Sequence, residues 1–218
     1  MNDKKIPKAT AKRLPLYYRY LKYLFSSGKK KVSSADLSEA VKIDSATIRR
    51  DFSYFGALGK RGYGYDVEDL MNFFSKQLNQ EQWTNVALVG IGHLGRALLN
   101  YNFQGQNSIR ISAGFDIDEE IVNTIYQGVP IYHRDELKEQ IRAQQFEVAI
   151  IAVQGPGAQE IADDLAEAGV KGIMNFTPLR LSVPESVRIL NVDLSNELQS
   201  LIYFVQYSDS IIDDEDTE

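Results

Sequence analysis

One short glycine-rich segment constrains the fold of this chain more than any other feature. The segment Gly90–Gly95 reads GIGHLG, follows the apolar run Val86–Val89 and precedes the helical run Arg96–Leu99. A G-x-G-x-x-G spacing is informative when a strand precedes it and a helix follows it. The first glycine permits a tight turn, the second lets the backbone approach a pyrophosphate, and the third lets the helix pack closely on the strand. The segment therefore predicts the first strand–turn–helix unit of a nucleotide-binding domain.

Short apolar runs recur after this segment, and helical patterns separate most of them. Runs of this kind are typical of buried parallel strands, and alternating strands and helices predict a parallel sheet with helices on both faces. We therefore expect a Rossmann domain, a doubly wound parallel sheet, over residues 83–192. The runs are Val86–Val89, Ile111–Phe115, Val148–Val153, Gly172–Phe176 and Ile189–Val192.

An acidic residue ends the second of these runs. Asp116 lies 21 residues beyond Gly95, near the position where an acidic side chain accepts hydrogen bonds from the adenosine ribose of a dinucleotide. Asp118 and two glutamates follow with no nearby Arg, so a 2′-phosphate would be repelled. We expect NAD(H) to be preferred over NADP(H). The alternative is that these acids cap the next helix, above all Asp118.

The formal charge is divided between the two parts of the chain. Residues 1–66 contain 15 Lys or Arg and 6 Asp or Glu, whereas residues 67–218 contain 9 and 24, for a net charge of −6. A basic segment joined to an acidic one predicts a nucleic-acid-binding part joined to a part with another task. A basic surface that is only solvated is the alternative.

The basic segment contains three helical patterns. Residues 1–13 are expected to form a mobile basic arm, and the first helix is predicted to begin near Pro15, where a missing N–H costs little. It closes at Gly28. The second helix is predicted to take Ser34 as its N-cap and to run through Val41.

The third helix is predicted over roughly residues 45–55, capped by Asp44 or Ser45, and glycines mark turns after it. Three helices followed by a glycine-punctuated turn predict a winged helix-turn-helix. Residues 67–82 are predicted to form a connecting helix. We therefore expect a DNA-binding domain with its connecting helix over residues 1–82.

The third helix has a polar and basic outer face. Ile48, Phe52 and Phe55 share the opposite, inward face, and Asp51 is expected to pair with a nearby Arg or Lys. The outer face suits a major groove, where Arg bonds guanine; ordinary solvated surface is the alternative for Arg49 and Arg50. Cations on the following turn are placed to reach phosphates or a minor groove. The predicted DNA-binding residues are Lys12, Arg13, Ser45, Thr47, Arg49, Arg50, Ser53, Tyr54, Lys60 and Arg61.

The composition narrows the chemistry. The chain has no Cys and 2 His, whereas a zinc site takes about four N or S ligands, so a zinc site and thiol redox chemistry are excluded. His93 and His133 are isolated, and no Ser-His-Asp, Cys-His or Lys-based set is visible, which favours a sensor over an enzyme. The chain lacks a long apolar run and an apolar signal region, so we expect a cytoplasmic protein with no membrane segment.

The two parts of the chain together resemble the Rex family of redox-sensing repressors. Each shared motif is modestly specific, but their order in a chain of this length is highly specific. Besides the glycine segment, the motifs are RLPLYYR at 13–19, IRRDFSYFG at 48–56, KRGYGY at 60–65, FDID at 115–118, NFTP at 175–178 and VDLS at 192–195.

The resemblance implies a homodimer that binds a palindromic operator and leaves it when NADH binds. It also implies a C-terminal helix exchanged between subunits and a polar relay of Arg19, Tyr101 and Asp193 between the nucleotide site and the DNA-binding domain. Residues 154–157 are more glycine-rich than the family pattern, which leaves their contacts open. The predicted NADH/NAD⁺-binding residues are Gly90, Gly92, His93, Leu94, Gly95, Asp116, Asp118, Phe176, Thr177 and Pro178.

The last segment, residues 193–218, independently indicates an exchanged helix. Its helical part is apolar on nearly all sides and requires burial all round, which two protomers provide; packing within its own subunit is the alternative. Phe176 with Tyr203 or Phe204 would form an apolar ring pocket that penalises the cationic nicotinamide of NAD⁺ by desolvation. The acidic tail Asp213–Asp216 is expected to be disordered.

These observations predict an α/β protein with an N-terminal winged helix-turn-helix domain, a C-terminal Rossmann domain and a domain-swapped C-terminal helix. Its predicted function is that of a redox-sensing repressor. Two alternatives stay open: an NAD-dependent oxidoreductase with a fused DNA-binding domain, and a repressor that senses another nucleotide, such as coenzyme A.

Overall fold

The computed structural model describes residues 5–56, 58–59, 63–101, 103 and 108–207. The chain divides into two compact units, Met1–Trp83 with Gln104–Ser108, and Thr84–Phe103 with Ile109–Glu218. Lys60, Arg61 and the acidic tail, for which predictions were made, lie outside the described residues.

The first unit contains four helices and a small antiparallel sheet among its described residues. The sheet pairs Lys31 with Asp66 and Val32 with Tyr65. A three-residue connection joins the second and third helices, and Lys42 within it adopts a left-handed backbone conformation with φ 55°. The arrangement is a helix-turn-helix with a two-stranded sheet, as predicted. The elements are α1 (Lys8–Ser26), β1 (Lys31–Val32), α2 (Ser34–Val41), α3 (Ser45–Ser53), β2 (Tyr65–Asp66) and α4 (Val67–Gln77).

Aromatic side chains fill the core of the first unit. The Tyr17 and Phe52 rings meet edge to face at 5.4 Å between centroids, and Phe52 lies 5.3 Å from Phe74. Val67, Leu70 and Phe74 bury one side of α4 in this core. The predicted connecting helix is therefore an integral part of the first unit, where it packs against α1.

A buried carboxylate ties α1 to α3. Asp51 accepts hydrogen bonds from Thr10 Oγ1 at 2.8 Å, Tyr17 OH at 2.6 Å, and Arg13 Nε and Nη2, both at 2.7 Å. Its exposure is 1%. Burial raises the pKa of Asp51, but the hydrogen bonds from Arg13, Tyr17 and Thr10 outweigh it and hold the pKa below its usual range. The pairing predicted for Asp51 is thus confirmed, and its partner is Arg13.

The first helix begins earlier than the sequence predicts. It starts at Lys8, and Pro15 lies in its interior rather than at its start. The prediction of a mobile arm over residues 1–13 is wrong from Lys8 onward, because the bonds from Thr10 and Arg13 to Asp51 hold the turns before Pro15 in place. Such tertiary contacts offset the hydrogen bond that an interior proline removes from a helix.

The predicted boundaries of α2 and α3 differ by only one or two residues from the observed ones, whereas α4 ends at Gln77, five residues before the predicted end. Ser33, rather than Ser34, caps α2: its Oγ accepts from the Asp36 N–H, and the Asp36 carboxylate accepts from the Ser33 N–H. Asp44 is the cap of α3, and its carboxylate accepts from the N–H groups of Ala46 and Thr47. Helix α3 ends at Ser53.

The second unit is built on a seven-stranded sheet. Its order is β5-β6-β4-β3-β7-β8-β9, with all neighbours parallel except the antiparallel β5–β6 pair. The strands are β3 (Thr84–Val89), β4 (Ile109–Asp116), β5 (Ile125–Tyr126), β6 (Val129–His133), β7 (Val148–Ile151), β8 (Gly172–Asn175) and β9 (Arg188–Asn191). The helices are α5 (His93–Asn100), a one-turn 3₁₀ helix (Arg134–Glu136), α6 (Leu137–Ala143), α7 (Ala158–Ala168) and α8 (Leu194–Gln206).

Apolar residues cover both faces of this sheet. Ala87 and Val89 belong to a core that includes residues of α6 and α7, whereas Val86 and Leu88 belong to the opposite core, against which Leu98 and Leu99 of α5 pack. Alternate residues of one strand thus enter different cores. This is the predicted doubly wound sheet, and its strand order reverses at β3, where the glycine segment leaves the sheet.

Helix α8 buries none of its residues within the chain. Asp193 caps it by accepting from the N–H groups of Ser195 at 3.1 Å and Asn196 at 3.0 Å. Its apolar side chains remain open, with Leu198 58% and Val205 73% exposed. The helix is therefore not packed within its own subunit, and that alternative is wrong. Among the described residues, no helix is long and apolar enough to cross a membrane.

We predict that Asp51→Asn lowers the free energy of unfolding by about 3 kcal/mol, because it removes the charge that Arg13 pairs with inside the unit. The midpoint of urea unfolding, followed by far-UV circular dichroism, measures the loss. Glu39→Gln on α2 is the matched control, because Glu39 is exposed. A loss no larger than that of the control would contradict a stabilising role for the carboxylate.

The same carboxylate predicts a pH dependence. The pKa of Asp51 is lowered in the folded chain, so its contribution is present above the unfolded pKa of about 4 and disappears as the pH falls through the lower folded pKa. The difference in stability between the parent and Asp51→Asn should therefore be full near neutral pH and shrink below about pH 4. A difference that stays constant into this acid range would contradict the ionised form of Asp51 in the folded chain.

Candidate functional sites

The glycine segment forms a tight turn between β3 and α5. Gly90 has φ +96°, a conformation that L side chains rarely adopt, and a Cβ on Gly95 would lie 2.0 Å from the Gly90 carbonyl oxygen. A Cβ on Gly92 would meet nothing within 4 Å. The first and third glycines therefore bring the start of α5 against the end of β3, and the second leaves the backbone accessible, as the spacing predicts.

A cavity of about 800 Å³ opens beside this turn, at the carboxyl ends of the central strands. Its walls come from the glycine segment, the end of β4, the residues that follow β6 and β7, and the start of α7. The volume is in the range of small-molecule and cofactor sites. The predicted cofactor residues that line it are Gly90, Gly92, His93, Leu94, Asp116, Phe176 and Pro178.

Three predicted cofactor residues do not line this cavity. Gly95 instead allows the start of α5 to pack against the end of β3. Asp118 is exposed and accepts from the Glu120 N–H at 3.0 Å within a turn. No helix lies among the described residues between β4 and β5, so the alternative that Asp118 caps a helix is wrong as well. Thr177 is buried, and its Oγ1 accepts from the Leu179 N–H at 3.3 Å.

Asp116 fastens the glycine segment to the end of β4. Its Oδ2 accepts from the Ile91 N–H, and its Oδ1 accepts from the N–H groups of Ile117 at 2.7 Å and Asp118 at 3.1 Å. An ionised carboxylate has about four acceptor positions, so three backbone donors leave capacity for a ligand hydroxyl. The half-buried Asp116 thus has a structural role that the spacing from Gly95 did not predict.

An arginine lies beside Asp116, contrary to the prediction from sequence. Asp116 pairs with His133 in the sheet, so Arg134 follows directly at the same edge, and it lines the cavity with Asp135 and Glu160. Its guanidinium pairs with Asp164 of α7. The apolar segment Val129–Tyr132 was visible in the sequence, but only its pairing with β4 brings Arg134 to this place.

A buried asparagine shapes the wall that carries Phe176 and Pro178. The Asn175 Nδ2 donates to the carbonyl oxygen of Leu179 and to Asn191 Oδ1, both at 2.8 Å, and Asn175 Oδ1 accepts from the Thr177 N–H at 3.0 Å. Asn175 is fully buried. It is therefore a positioning residue. The motif at 175–178 contains Asn175, but the sequence alone did not indicate this role.

The outer face of α3 presents the predicted polar and basic surface. Ile48 and Phe52 are buried. Arg49 lies near two hydroxyls, with its Nη1 3.3 Å from Ser34 Oγ and 3.4 Å from Ser45 Oγ. Among the predicted DNA-binding residues, Lys12, Arg49, Arg50 and Ser53 are exposed and Ser45, Thr47 and Tyr54 are half-buried.

Arg13 takes a different role from the predicted one. Its guanidinium makes two hydrogen bonds to Asp51, and its side chain is 28% exposed. The Asp51 hydrogen bond raises the pKa of Arg13 against the opposing effect of burial. Arg13 therefore stabilises the first unit and is a poorer candidate for a DNA contact than Arg49 or Arg50.

The three predicted relay residues belong to different units. Arg19 is exposed on α1 in the first unit, whereas Tyr101 and Asp193 belong to the second. Tyr101 is 56% exposed and lies 4.6 Å from the Phe103 ring. Asp193 caps α8. A functional link between the three stays a prediction.

The two histidines do not belong to a metal site among the described residues. His133 caps the 3₁₀ helix, with its Nδ1 3.3 Å from the Asp135 N. His93 is the exposed first residue of α5. In the described ranges, no group of three His, Cys, Asp or Glu side chains is placed to hold a metal ion.

Two family models match the two parts of this chain. A model described as "Putative DNA-binding protein N-terminus" matches residues 5–53. A model described as "CoA binding domain" matches residues 81–179.

Two solved structures resemble the whole chain. The crystal structure of RSP in complex with β-NAD⁺ and operator DNA is 33% identical, with a TM-score of 0.88 over 94% of each chain. The structure of RSP in complex with β-NADH is 31% identical, with a TM-score of 0.82 over 94% of this chain and 96% of that one.

Relatives with closer sequences are named redox-sensing transcriptional repressors Rex. The one from Ligilactobacillus salivarius is 62% identical over 95% of this chain and 97% of its own length. Rex 1 from Enterococcus faecalis is 62% identical over 99% of this chain and 100% of its own length. This chain therefore belongs to the Rex family of redox-sensing transcriptional repressors.

Proposed function

We propose that this protein is a cytoplasmic, non-enzymatic repressor that binds operator DNA and is released from it when NADH binds. The observation that carries the proposal is the presence, in one chain, of an exposed basic helix-turn-helix and a glycine-lined cavity at the switch point of a Rossmann sheet. Relatives named as repressors, and RSP structures with operator DNA, NAD⁺ and NADH, support it.

The outer face of α3 is the proposed DNA-reading surface. Arg49 and Arg50 carry the charge, and Thr47 and Ser53 add small polar contacts on the same helix. A recognition helix places such side chains at base edges in the major groove, while surrounding cations bind phosphates. Lys12, Lys60 and Arg61 are proposed phosphate contacts.

The cavity of the second unit is the proposed NAD(H) site. The open backbone at Gly92 and the N-terminus of α5 provide N–H groups for the pyrophosphate. Asp116, at the end of β4, lines the cavity and is the proposed acceptor for the adenosine ribose. Phe176 and Pro178 form an apolar wall that suits the neutral dihydronicotinamide better than its oxidised, cationic form.

A second copy of this chain is the proposed cover for α8. All of the large apolar side chains of this helix are at least 40% exposed, from Ile202 at 40% to Val205 at 73%. Such a surface requires a partner, and an exchanged helix in a symmetric homodimer supplies one. The two-fold symmetry of the dimer then matches a palindromic operator.

The proposed switch is a change in the arrangement of the two protomers. Recognition helices of a dimer must be about 34–36 Å apart, one turn of DNA, so a modest rotation is enough to release the operator. Asp193 caps the helix α8, which would join the protomers. With Arg19 and Tyr101 it is the proposed relay by which the state of the nucleotide site reaches the DNA-binding units.

The match to a model described as a CoA binding domain makes coenzyme A a second candidate ligand. Coenzyme A and NAD(H) share an adenosine diphosphate group, which the glycine segment would bind in the same way. Competition between coenzyme A and NADH for the purified protein distinguishes them, and displacement of NADH at equal concentration would favour coenzyme A.

We predict that Arg50→Ala weakens operator binding by about 1–3 kcal/mol, because it removes a base contact in the major groove. Fluorescence anisotropy with a labelled operator measures this loss, and NADH titration shows whether the second unit is intact. Lys76→Ala, on α4, is the control for the loss of one positive charge. Equal affinities of the two variants would contradict the assignment of Arg50.

We predict that Asp116→Ala weakens NADH binding and narrows its advantage over NADPH, because the ribose acceptor is lost and a 2′-phosphate is no longer repelled. Fluorescence titration with the two reduced nucleotides measures both effects. Asp118→Ala is the control, since Asp118 lies outside the lining of the cavity. Unchanged discrimination in Asp116→Ala would assign the preference to another residue.

We predict that NADH lowers operator affinity more than an equal concentration of NAD⁺ does, because the apolar wall favours the neutral ring. Coupling is reciprocal, so a saturating operator should weaken NADH binding by the same factor. Parallel anisotropy titrations and calorimetry measure the two factors. Equal operator affinity with NADH and NAD⁺ would remove redox sensing from the proposal.

A further inference from the structure

We propose that Asp164 sets the nucleotide preference of the cavity by holding Arg134 away from the ligand's ribose. This inference rests on the proposed NAD(H) site. It assigns a specificity role to an ion pair that is not part of the glycine fingerprint.

The position of Arg134 is that of a reader of the adenosine ribose. It is the residue after His133, which pairs with Asp116 across β6 and β4. Neighbouring strands lie about 5 Å apart, so Arg134 begins within reach of whatever Asp116 contacts. Both residues line the same cavity. In dinucleotide folds, an Arg near the ribose accommodates a 2′-phosphate, whereas an acidic residue binds the 2′-hydroxyl.

The guanidinium of Arg134 nevertheless turns to α7. It donates to Asp164 Oδ2, and the two side chains are each 17% exposed. Asp164 does not line the cavity, while Glu160, one turn earlier on α7, does. The ion pair therefore joins Arg134, which lines the cavity, to a carboxylate that does not line it.

A second cation strengthens the hold of Asp164. Lys138 Nζ lies 2.7 Å from Asp164 Oδ1 and 2.6 Å from Glu167 Oε2. Burial raises the pKa of Asp164, but the bonds from Lys138 and Arg134 outweigh it and keep the carboxyl ionised at neutral pH. If Asp164 is removed, Lys138 keeps Glu167, so Arg134 is the group that loses its anionic partner.

The consequence concerns NADPH. With Arg134 bound to Asp164, the ribose meets the carboxylate of Asp116, and a 2′-phosphate meets no compensating cation. With Asp164 neutralised, Arg134 is able to turn into the cavity and bind a phosphate through charge-assisted, bidentate hydrogen bonds. Such bonds are strong enough to change relative affinity by about tenfold.

The test compares the ratio of NADPH to NADH dissociation constants in the full-length protein by fluorescence titration. We expect Asp164→Asn to narrow this ratio by about tenfold. Asp163→Asn is the matched control: it removes the same charge from the neighbouring, exposed position of α7 and leaves Arg134 paired. We expect its ratio to equal that of the parent.

Two variants of Arg134 test whether this residue causes the change in the ratio of dissociation constants. Arg134→Gln in the parent should leave the ratio unchanged within about twofold, because the guanidinium is bound to Asp164 there. This variant tests the proposal even if Asp164→Asn does not fold. Arg134→Gln combined with Asp164→Asn should restore the parent ratio. Adenosine 2′,5′-bisphosphate, competed against NADH, should bind more tightly to Asp164→Asn than to the parent, which places the effect at the adenosine end.

The results that would overturn this inference differ from those that would overturn the proposed function. If Asp164→Asn matches Asp163→Asn, Arg134 has only exchanged Asp164 for another carboxylate, such as Asp135 or Glu160, and the inference is overturned. A narrowed ratio that persists in the double variant also overturns it. If the parent protein shows no saturable NADH binding, the proposed function itself fails. Normal NADH binding with an unchanged ratio in Asp164→Asn refutes the role of the ion pair alone.

Discussion

The close approach of Gly95 to Gly90 is the contact on which the second unit depends. A side chain at Gly95 would overlap the Gly90 carbonyl oxygen, so α5 can begin where it does only because that side chain is missing. This placement directs the N-terminus of α5 to the carboxyl edge of the sheet. The cavity, the accessible backbone at Gly92 and the bond from Ile91 to Asp116 all follow from it.

The first unit depends on a different kind of constraint, a polar one. Its helices share an apolar core, but α1 and α3 are also joined through the buried carboxylate of Asp51. A hydrophobic interface tolerates small shifts, whereas a carboxylate with bonds from Thr10, Arg13 and Tyr17 is satisfied in one arrangement. The outer face of α3, with Arg49 and Arg50, therefore has a defined orientation relative to α1 in this unit.

Local sequence predicted the features whose causes are local. The spacing of Gly90, Gly92 and Gly95 encodes one turn, and the periodicity of α3 separates Ile48 and Phe52 from Arg49 and Arg50. Two features that depend on distant partners were missed. Pro15 alone predicts the start of a helix, because the hydrogen bonds to Asp51 that hold the preceding turns are not visible in the local sequence. Arg134 is 18 residues from Asp116 in the sequence, and only the pairing of β4 with β6 makes them neighbours.

The three backbone bonds to Asp116 also bear on how a cofactor preference evolves. This carboxylate fixes the Ile91 N–H of the glycine turn and the N–H groups of Ile117 and Asp118. A mutation of Asp116 removes the proposed ribose acceptor and also the three bonds that hold the turn, so selection for a different nucleotide is opposed here by selection for a folded loop. Side chains that contribute only to ligand binding are free of this second constraint. Substitutions that change the preferred nucleotide should therefore occur at residues around the edge of the cavity, whereas Asp116 should be retained.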